Sequence, residues 1–442
     1  MIWLLAYNIL VVLLLPLVAA VALFLPRLRL WFKEMAHPWI LKQRLGLDGA
    51  NSEASLWIHA ASLGEARTLG PLLETIRRHP PLRVHMTVMT RAALDFALGA
   101  YKPKGLIDGA SLMPLDIWPV ARHFTAAMKE VKALLVMETE LWPNFLAAAK
   151  KRGMKLILIN GRMSEKTTRW MRFLPGAAHW LFGLFDCLCV SEDEYRRLLE
   201  SFAPAGEVVV TGNLKWDTAG ILQSTSASAQ RGGLRRRLGL GSEALLWAAA
   251  STREGEEEII INVFKKLAAR HGHLRLALAP RHVERAGEVV DLIKGAGMRA
   301  LMLSRLGEGA KDSAVAVVDE FGVLAALYEA ADFVFVGGTF VAKIGGHNFL
   351  EPAALGKAVV IGPYYANFQA IADDFIKQGA LARVNDAGEL FETIERWSKG
   401  GEMRLAMGEK AAHLVAGRLG ATQRTWAAIE PLLIPRQVKS RE

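Results

Sequence analysis

The sequence predicts an α/β protein built from two doubly wound halves, and three observations carry that prediction. From Ser55 onward, short apolar runs alternate with amphipathic stretches of helical spacing, the rhythm of a parallel sheet with helices on both faces. The rhythm breaks at 218–233 (TAGILQSTSASAQRGG), where small and polar residues read as a linker, and then resumes. With 442 residues and 52% hydrophobic content, the chain can bury two separate cores.

Residues 1–25 are almost wholly apolar, enough for a helix to cross a hydrocarbon layer of ~30 Å, with Asn8 and Pro16 as interruptions. No Lys or Arg precedes this run, which argues against a cleaved signal peptide. Arg27, Arg29, Lys33, Lys42 and Arg44 follow it, so the positive-inside rule puts the rest of the chain in the cytoplasm. Trp31, Phe32 and Trp39 among those cations suit an anionic membrane surface. The expected organisation is a membrane anchor at 1–26, a Rossmann-like domain at 27–217, a linker at 218–233 and a second Rossmann-like domain at 234–425. A helical segment at 402–433 is expected to pack back on the first domain.

In the first domain, strands are expected at 56–60, 83–89, 133–137, 155–159, 186–190 and 207–211. The helices between them are placed at 65–78, 91–100, 119–129, 143–151 and 192–201. In the second, strands at 245–249, 274–279, 315–318, 332–336 and 358–361 alternate with helices near 254–270, 283–296, 321–330, 350–356 and 367–378. Two such halves joined by a linker make a cleft, a common seat for a ligand. The net charge of +10 favours anionic partners. The basic residues are not striped along one helix, so nucleic acid is excluded. The two cysteines, Cys187 and Cys189, alternate within one apolar run and read as buried free thiols.

The candidate chemistry lies just past the strand ends. Ser62-Leu63-Gly64-Glu65 follows the first strand, and Glu65 is placed either to cap the next helix or to take a proton from a hydroxyl. Glu138 and Glu140 follow a strand of pure core character, where unpaired burial would be costly, so they are solvated or bonded to an acceptor. Lys215, in Gly212-Asn213-Leu214-Lys215-Trp216-Asp217, is a candidate anion contact. In the second half, Ser251-Thr252-Arg253 precedes a helix start, and Arg281-His282 lies past the next strand; both loops favour an anion. The acidic run Glu254, Glu256, Glu257, Glu258 instead fits a capped helix and opposes a nearby phosphate. Gly337-Gly338 permits close backbone approach. Asn348 is placed to cap a helix whose Glu351 suits the hydroxyls of a ribose.

Taken in order, WIHAASLGE, METELWPN, GNLKWD, ASTREGEEE, PRHVER and GGHNFLEPA behind one apolar N-terminus resemble the 3-deoxy-D-manno-octulosonate (Kdo) transferases of lipopolysaccharide assembly. The resemblance covers roughly residues 57–353. It implies a GT-B glycosyltransferase whose two Rossmann-like domains face a cleft, with a CMP-Kdo donor on the C-terminal domain and a lipid A precursor as acceptor at the inner membrane. It implies Glu65 as general base, Glu138 or Glu140 in support, and Arg281, Gly337, Gly338, Asn348 and Glu351 as CMP contacts. The chain departs from the family pattern at Leu63, at Arg253 (often His) and at Thr87-Val88-Met89-Thr90-Arg91-Ala92, which lacks an expected Pro-Thr-Gly. The reaction expected is an inverting transfer without cofactor or metal, since no Asp-x-Asp pair occurs. Two other readings are a GT-B enzyme moving a UDP-sugar to another membrane lipid and a non-catalytic, membrane-tethered nucleotide-binding module.

Overall fold

The computed structural model describes residues 2–22, 37–51, 53–79, 82–203, 207–225, 228–305 and 315–434. The chain forms two compact units, Met1–Thr218 with Gly420–Glu442, and Ala219–Leu419.

The first unit opens with α1 (Ile2–Ala22) and α2 (Pro38–Arg44). It continues through β1 (Leu56–Ala60), α3 (Leu63–Thr68), α4 (Gly70–Arg77), β2 (Val84–Val88), α5 (Arg91–Phe96) and β3 (Gly109–Leu112). Then come α6 (Trp118–Ala127), β4 (Ala133–Met137), α7 (Pro143–Lys151), β5 (Lys155–Gly161), α8 (Glu165–Phe173), α9 (Pro175–Phe182), β6 (Cys187–Val190), α10 (Asp193–Glu200) and β7 (Glu207–Val210). Its seven strands are all parallel, in the order β3-β2-β1-β4-β5-β6-β7. Covered on both faces, β1, β2, β4 and β6 are buried at every position and mostly apolar, and their buried polar side chains find partners: His59 Nδ1 lies 3.0 Å from Thr87 Oγ1 and His85 Nε2 2.9 Å from Ser111 Oγ. Successive side chains alternate between faces. Leu56 and Ile58 join one core with Ile429 and Leu433, while Trp57 joins the other with Phe124 and Phe145.

The second unit follows through α11 (Leu214–Thr225), which the unit boundary divides, and α12 (Ser228–Arg237). Next are β8 (Leu245–Thr252), α13 (Glu256–Ala268), β9 (Leu274–Pro280), α14 (Ala286–Gly295), β10 (Ala300–Met302), β11 (Val315–Val317), α15 (Leu324–Ala330) and β12 (Phe333–Val336). It ends with α16 (Leu350–Ala354), β13 (Ala358–Ile361), α17 (Gln369–Lys377), β14 (Ala382–Arg383), α18 (Ala387–Lys399) and α19 (Gly401–Ala416), and α20 (Ala421–Leu433) belongs to the first unit. The second sheet is also seven-stranded and parallel, in the order β10-β11-β9-β8-β12-β13-β14.

Several expectations change on contact with the structure. The segment 218–233 is not irregular; α11 and α12 occupy most of it. The expected helix 65–78 is two, because Pro71 has no N–H to give and starts a new first turn. The expected segment 402–433 is divided at Gly420, which adopts φ +90°. Asp217 accepts the Gly420 N–H at 2.7 Å and the Thr422 N–H, and so fixes the start of α20. Edge strands β3, β10 and β14 are two to four residues long and carry too short a pattern to announce themselves.

Arg27, Trp31, Phe32 and Lys33, read as a membrane-facing flank, lie outside the described residues. Arg44 is not a surface cation: it is buried and donates to the carbonyls of Met113 and Met89, each at 2.5 Å. Among the described residues, no helix is long and apolar enough to cross a membrane. The side chains described in α1 run from Ile2 to Leu14, a length of about 20 Å.

Candidate active site

Each sheet has one place where the winding reverses, between β1 and β4 in the first unit and between β8 and β12 in the second. There the following loops splay apart and leave a crevice at the carboxyl ends of the strands. The predicted residues gather at these two points: Glu65 after β1 and Glu138 after β4, then Ser251–Arg253 at the end of β8 and Gly337–Gly338 after β12.

Backbone geometry marks two of these strand ends, those of β4 and β8, and the end of β5 beside β4. Glu138, Asn160 and Ser251 are the non-glycine residues with positive φ among those described, at +55°, +53° and +57°. A left-handed conformation disfavours a Cβ and persists where surrounding structure imposes it. Asn160 was not legible as special in the sequence. Its Oδ1 accepts the Leu214 N–H at 2.8 Å and orients the turn that carries Lys215.

In the first unit, Ser62 caps α3, its Oγ accepting the Glu65 N–H at 3.2 Å and donating to Glu65 Oε1 at 3.0 Å. The other carboxylate oxygen, Oε2, accepts the Ala61 N–H at 2.9 Å. Glu65 therefore does serve the cap, with Ala61 rather than Ser62 as its backbone partner. Burial and then the charge of Glu138 push its carboxyl up to about 7, with the Ala61 N–H and the Ser62 hydroxyl pulling the other way. A carboxyl poised there can exchange a proton near neutral pH. Glu140 is also raised, by burial and by Glu138. Lys215 stands with Nζ 3.5 Å from Glu138 Oε1, so the structure pairs it with a first-unit carboxylate.

In the second unit, Arg253 reaches across the strand ends. Its Nε donates to His347 Nε2 at 3.2 Å, and Nη1 lies 2.8 Å from His282 Nε2. The Arg281 N–H donates to Thr252 O at 2.9 Å, joining the two loops. Asn348 Oδ1 accepts the Leu350 N–H at 3.1 Å, and its Nδ2 donates to Glu351 Oε1 at 3.1 Å. This holds Glu351 in the first turn of α16. His347 carries no sequence signal of its own, since the capping pattern of its neighbour Asn348 is the stronger local feature.

The acidic run divides. Glu256 and Glu257 are fully buried, whereas Glu254 and Glu258 are exposed. Glu257 accepts from Thr252 Oγ at 3.1 Å and from Arg285 Nη1 at 3.0 Å. Glu256 fills the turn after β12, accepting the N–H groups of Gly338 (2.7 Å), Thr339 (2.8 Å), Phe340 (2.8 Å) and Arg253 (2.9 Å). The glycines answer to that internal fit. A Cβ on Gly337 would come within 2.6 Å of Ser251 O and 2.8 Å of Glu256 Oε2, and Gly338 has φ +71°.

Comparisons with known proteins agree with this architecture. Residues 40–218 match the family model described as 3-Deoxy-D-manno-octulosonic-acid transferase (kdotransferase). A 3-deoxy-D-manno-octulosonic acid transferase of Bordetella pertussis is 34% identical over 88% of this chain and 91% of its own. One of Chlamydia pneumoniae is 29% identical over 85% of this chain and 84% of its own. The UDP-GlcNAc 2-epimerase of Neisseria meningitidis, solved bound to UDP-GlcNAc, superposes with a TM-score of 0.56 at 13% identity, covering 86% of this chain and 99% of its own. That likeness shows a GT-B-like fold. With two strand-end crevices bearing the residues its motifs supply, and a relative matched along most of both chains, this protein belongs to the 3-deoxy-D-manno-octulosonic acid transferases and is a glycosyltransferase.

Proposed function

We propose that the protein transfers Kdo from CMP-Kdo to a hydroxyl of a lipid A precursor, with inversion at the anomeric carbon and without a metal or cofactor. The observation that carries this reading is Glu65: a half-buried carboxyl at a strand-end crevice, raised to about 7, with both oxygens oriented by Ala61 and Ser62. As the acceptor oxygen attacks the anomeric carbon, Glu65 takes its proton. The bond to CMP breaks, and the electron pair leaves on the phosphate. Glu138 acts more strongly on Glu65 than Glu140 does, which favours Glu138 as the second functional carboxylate. Lys215 belongs to this acceptor side, beside Glu138.

The second unit holds the donor. Arg253, Arg281 and His282 meet the phosphate, Ser251 and Thr252 shape the turn beneath it, and Asn348 with Glu351 receives the ribose. Charge developing on departing CMP is met by fixed donors rather than by reorganising water. Gly337 and Gly338 contribute through the close turn they allow. The apolar N-terminal helix tethers the protein to the inner membrane, with the catalytic units at its cytoplasmic face, where an amphiphilic acceptor lies.

The test uses detergent-solubilised protein, CMP-Kdo and a tetra-acylated lipid A precursor, with products resolved by mass spectrometry beside Glu65→Gln. Lipid heavier by whole Kdo units, absent in the variant, is the expected result. Wild-type turnover in Glu65→Gln would remove the assigned base. Displacement of bound donor by UDP but not by CMP would overturn the donor.

A further inference from the structure

Asn8 is the polar residue that interrupts the N-terminal apolar run, and the structure gives it a partner in the first unit. Along α1, Trp3, Leu4, Tyr7, Asn8 and Val11 are half-buried, while Ile2, Leu5, Ile9, Val12 and Leu13 are exposed. Steps of three and four residues mean one docked face and one open face. On the docked face, Asn8 Nδ2 donates to Asn144 Oδ1 at 2.8 Å, and Asn144 Nδ2 donates to Asn8 Oδ1 at 3.1 Å. Asn144 is fully buried, so opening this reciprocal pair leaves an amide without a complete set of partners.

The contact has depth on both sides of that pair. The Tyr7 hydroxyl bonds the buried Asp116 carboxylate. The same carboxylate accepts the N–H groups of Asn144 at 3.2 Å and Phe145 at 3.0 Å, which are otherwise unmet donors in the first turn of α7. Asn144 Nδ2 also donates to Asp116 O at 2.8 Å. Trp3 lies against Gly176 in α9, where a Cβ would come within 2.8 Å of the indole. A helix whose task is only to sit in lipid requires none of these bonds.

Asn144 stands in the first turn of α7, directly after the loop that carries Glu138 and Glu140. Glu138 holds a left-handed backbone conformation that its surroundings must impose. We infer that α1 is a working part of the first unit: through the Asn8–Asn144 pair and the Tyr7–Asp116 contact it fixes the start of α7, and with it the 138–142 loop. Its functional consequence rests on the reading of Glu138 and Glu140 as acceptor-side groups.

The test uses the full chain in detergent micelles with Asn8→Leu and Tyr7→Phe. Both changes keep or raise the apolar character of α1, so a purely lipid-anchoring role survives them. Three readouts are taken: hydrogen exchange over 138–146, CMP affinity, and turnover against acceptor concentration. We expect exchange in that segment to rise at least about fivefold, turnover at limiting acceptor to fall by a similar factor, and CMP affinity to stay at the wild-type value. Wild-type exchange over 138–146 in both variants would overturn the inference. So would a rise spread evenly over the first unit, which marks general destabilisation. A local rise in exchange with unchanged turnover would uphold the positioning role of α1 and instead remove the acceptor-side assignment of the loop.

Discussion

Glu256 and Gly338 are joined by a hydrogen bond of 2.7 Å from the glycine N–H to the carboxylate, and three further backbone N–H groups converge on the same side chain. A turn with converging N–H groups is an anion seat. Here the protein supplies the anion itself. The turn after β12 is thus completed by the protein's own carboxylate, and the cationic side chains Arg253 and Arg281 lie on the β8 and β9 loops.

Glu256→Gln tests that arrangement. The amide oxygen can keep one pair of N–H donors, but the NH₂ group must face the other pair. Leaving one buried and one partly buried donor unmet costs about 1–3 kcal/mol, read as a lowered thermal midpoint of the second unit. Donor KM should rise several-fold as the turn loosens, while the pH profile set by Glu65 stays where it is. An unchanged midpoint and donor KM would mean that the glycine turn holds itself.

The pH dependence follows from Glu65, whose carboxyl lies at about 7 rather than at the ordinary 4.5. As a base it must be ionised, so turnover should fall about tenfold per unit below pH 7 and level off above it. Glu138→Gln removes the charge that acts on Glu65 after burial, so the falling limb should move to lower pH even though maximal turnover drops. Glu65→Gln should lower kcat by about 10²–10⁴-fold at the plateau. Stability runs the other way. Protonation of Glu65 favours the folded state fully below about pH 4.5, and that contribution is lost as pH rises through about 7. The neutral Gln keeps it, so the variant should melt higher than wild type at pH 8.

The fold was largely legible because parallel strands buried on both faces write continuous apolar runs, as Phe333-Val334-Phe335-Val336 does. Glu138 stands out in the sequence because a carboxylate directly after such a run has few structural explanations, whereas the pattern at Glu65 reads equally as a capping box, a role that it does serve here. Glu256 does not stand out, because an acidic residue in a first helical turn is the commonest dipole partner, and nothing local says that its oxygens face a glycine turn 82 residues away. Asn8 was read as a tolerated flaw in an apolar run, since its partner Asn144 lies 136 residues further on. The break between α19 and α20 depends on Asp217, again a partner distant in sequence.

Arg253 lies between His282 and His347, and donates to the latter. Both rings meet the guanidinium through Nε2, so the trio presents one planar cation braced from two sides. Arg253→Ala should weaken CMP binding by at least about tenfold, measured by calorimetry, and leave the Glu65 limb in place. Arg253→His, which keeps a ring N–H donor at this place, should recover part of that loss. Equal CMP affinity in Arg253→Ala and wild type would move the phosphate away from this loop.

Glu138 offers a test in which stability and function part. Its φ of +55° places a Cβ in a region that suits glycine, and Lys215 Nζ stands 3.5 Å from its carboxylate. Glu138→Gly relieves the backbone and adds unfolded-state entropy, a balance expected to stabilise the first unit by up to about 1 kcal/mol. The same change deletes the carboxylate, leaves Lys215 without that ion pair, and removes a charge that raises Glu65. Turnover should therefore fall while the thermal midpoint holds or rises, and the pH limb should shift to lower values as in Glu138→Gln. Loss of turnover together with a midpoint lowered by more than the roughly 1 kcal/mol that an added glycine costs through the unfolded state would show that the side chain's own contacts, the Lys215 pair among them, hold the first unit.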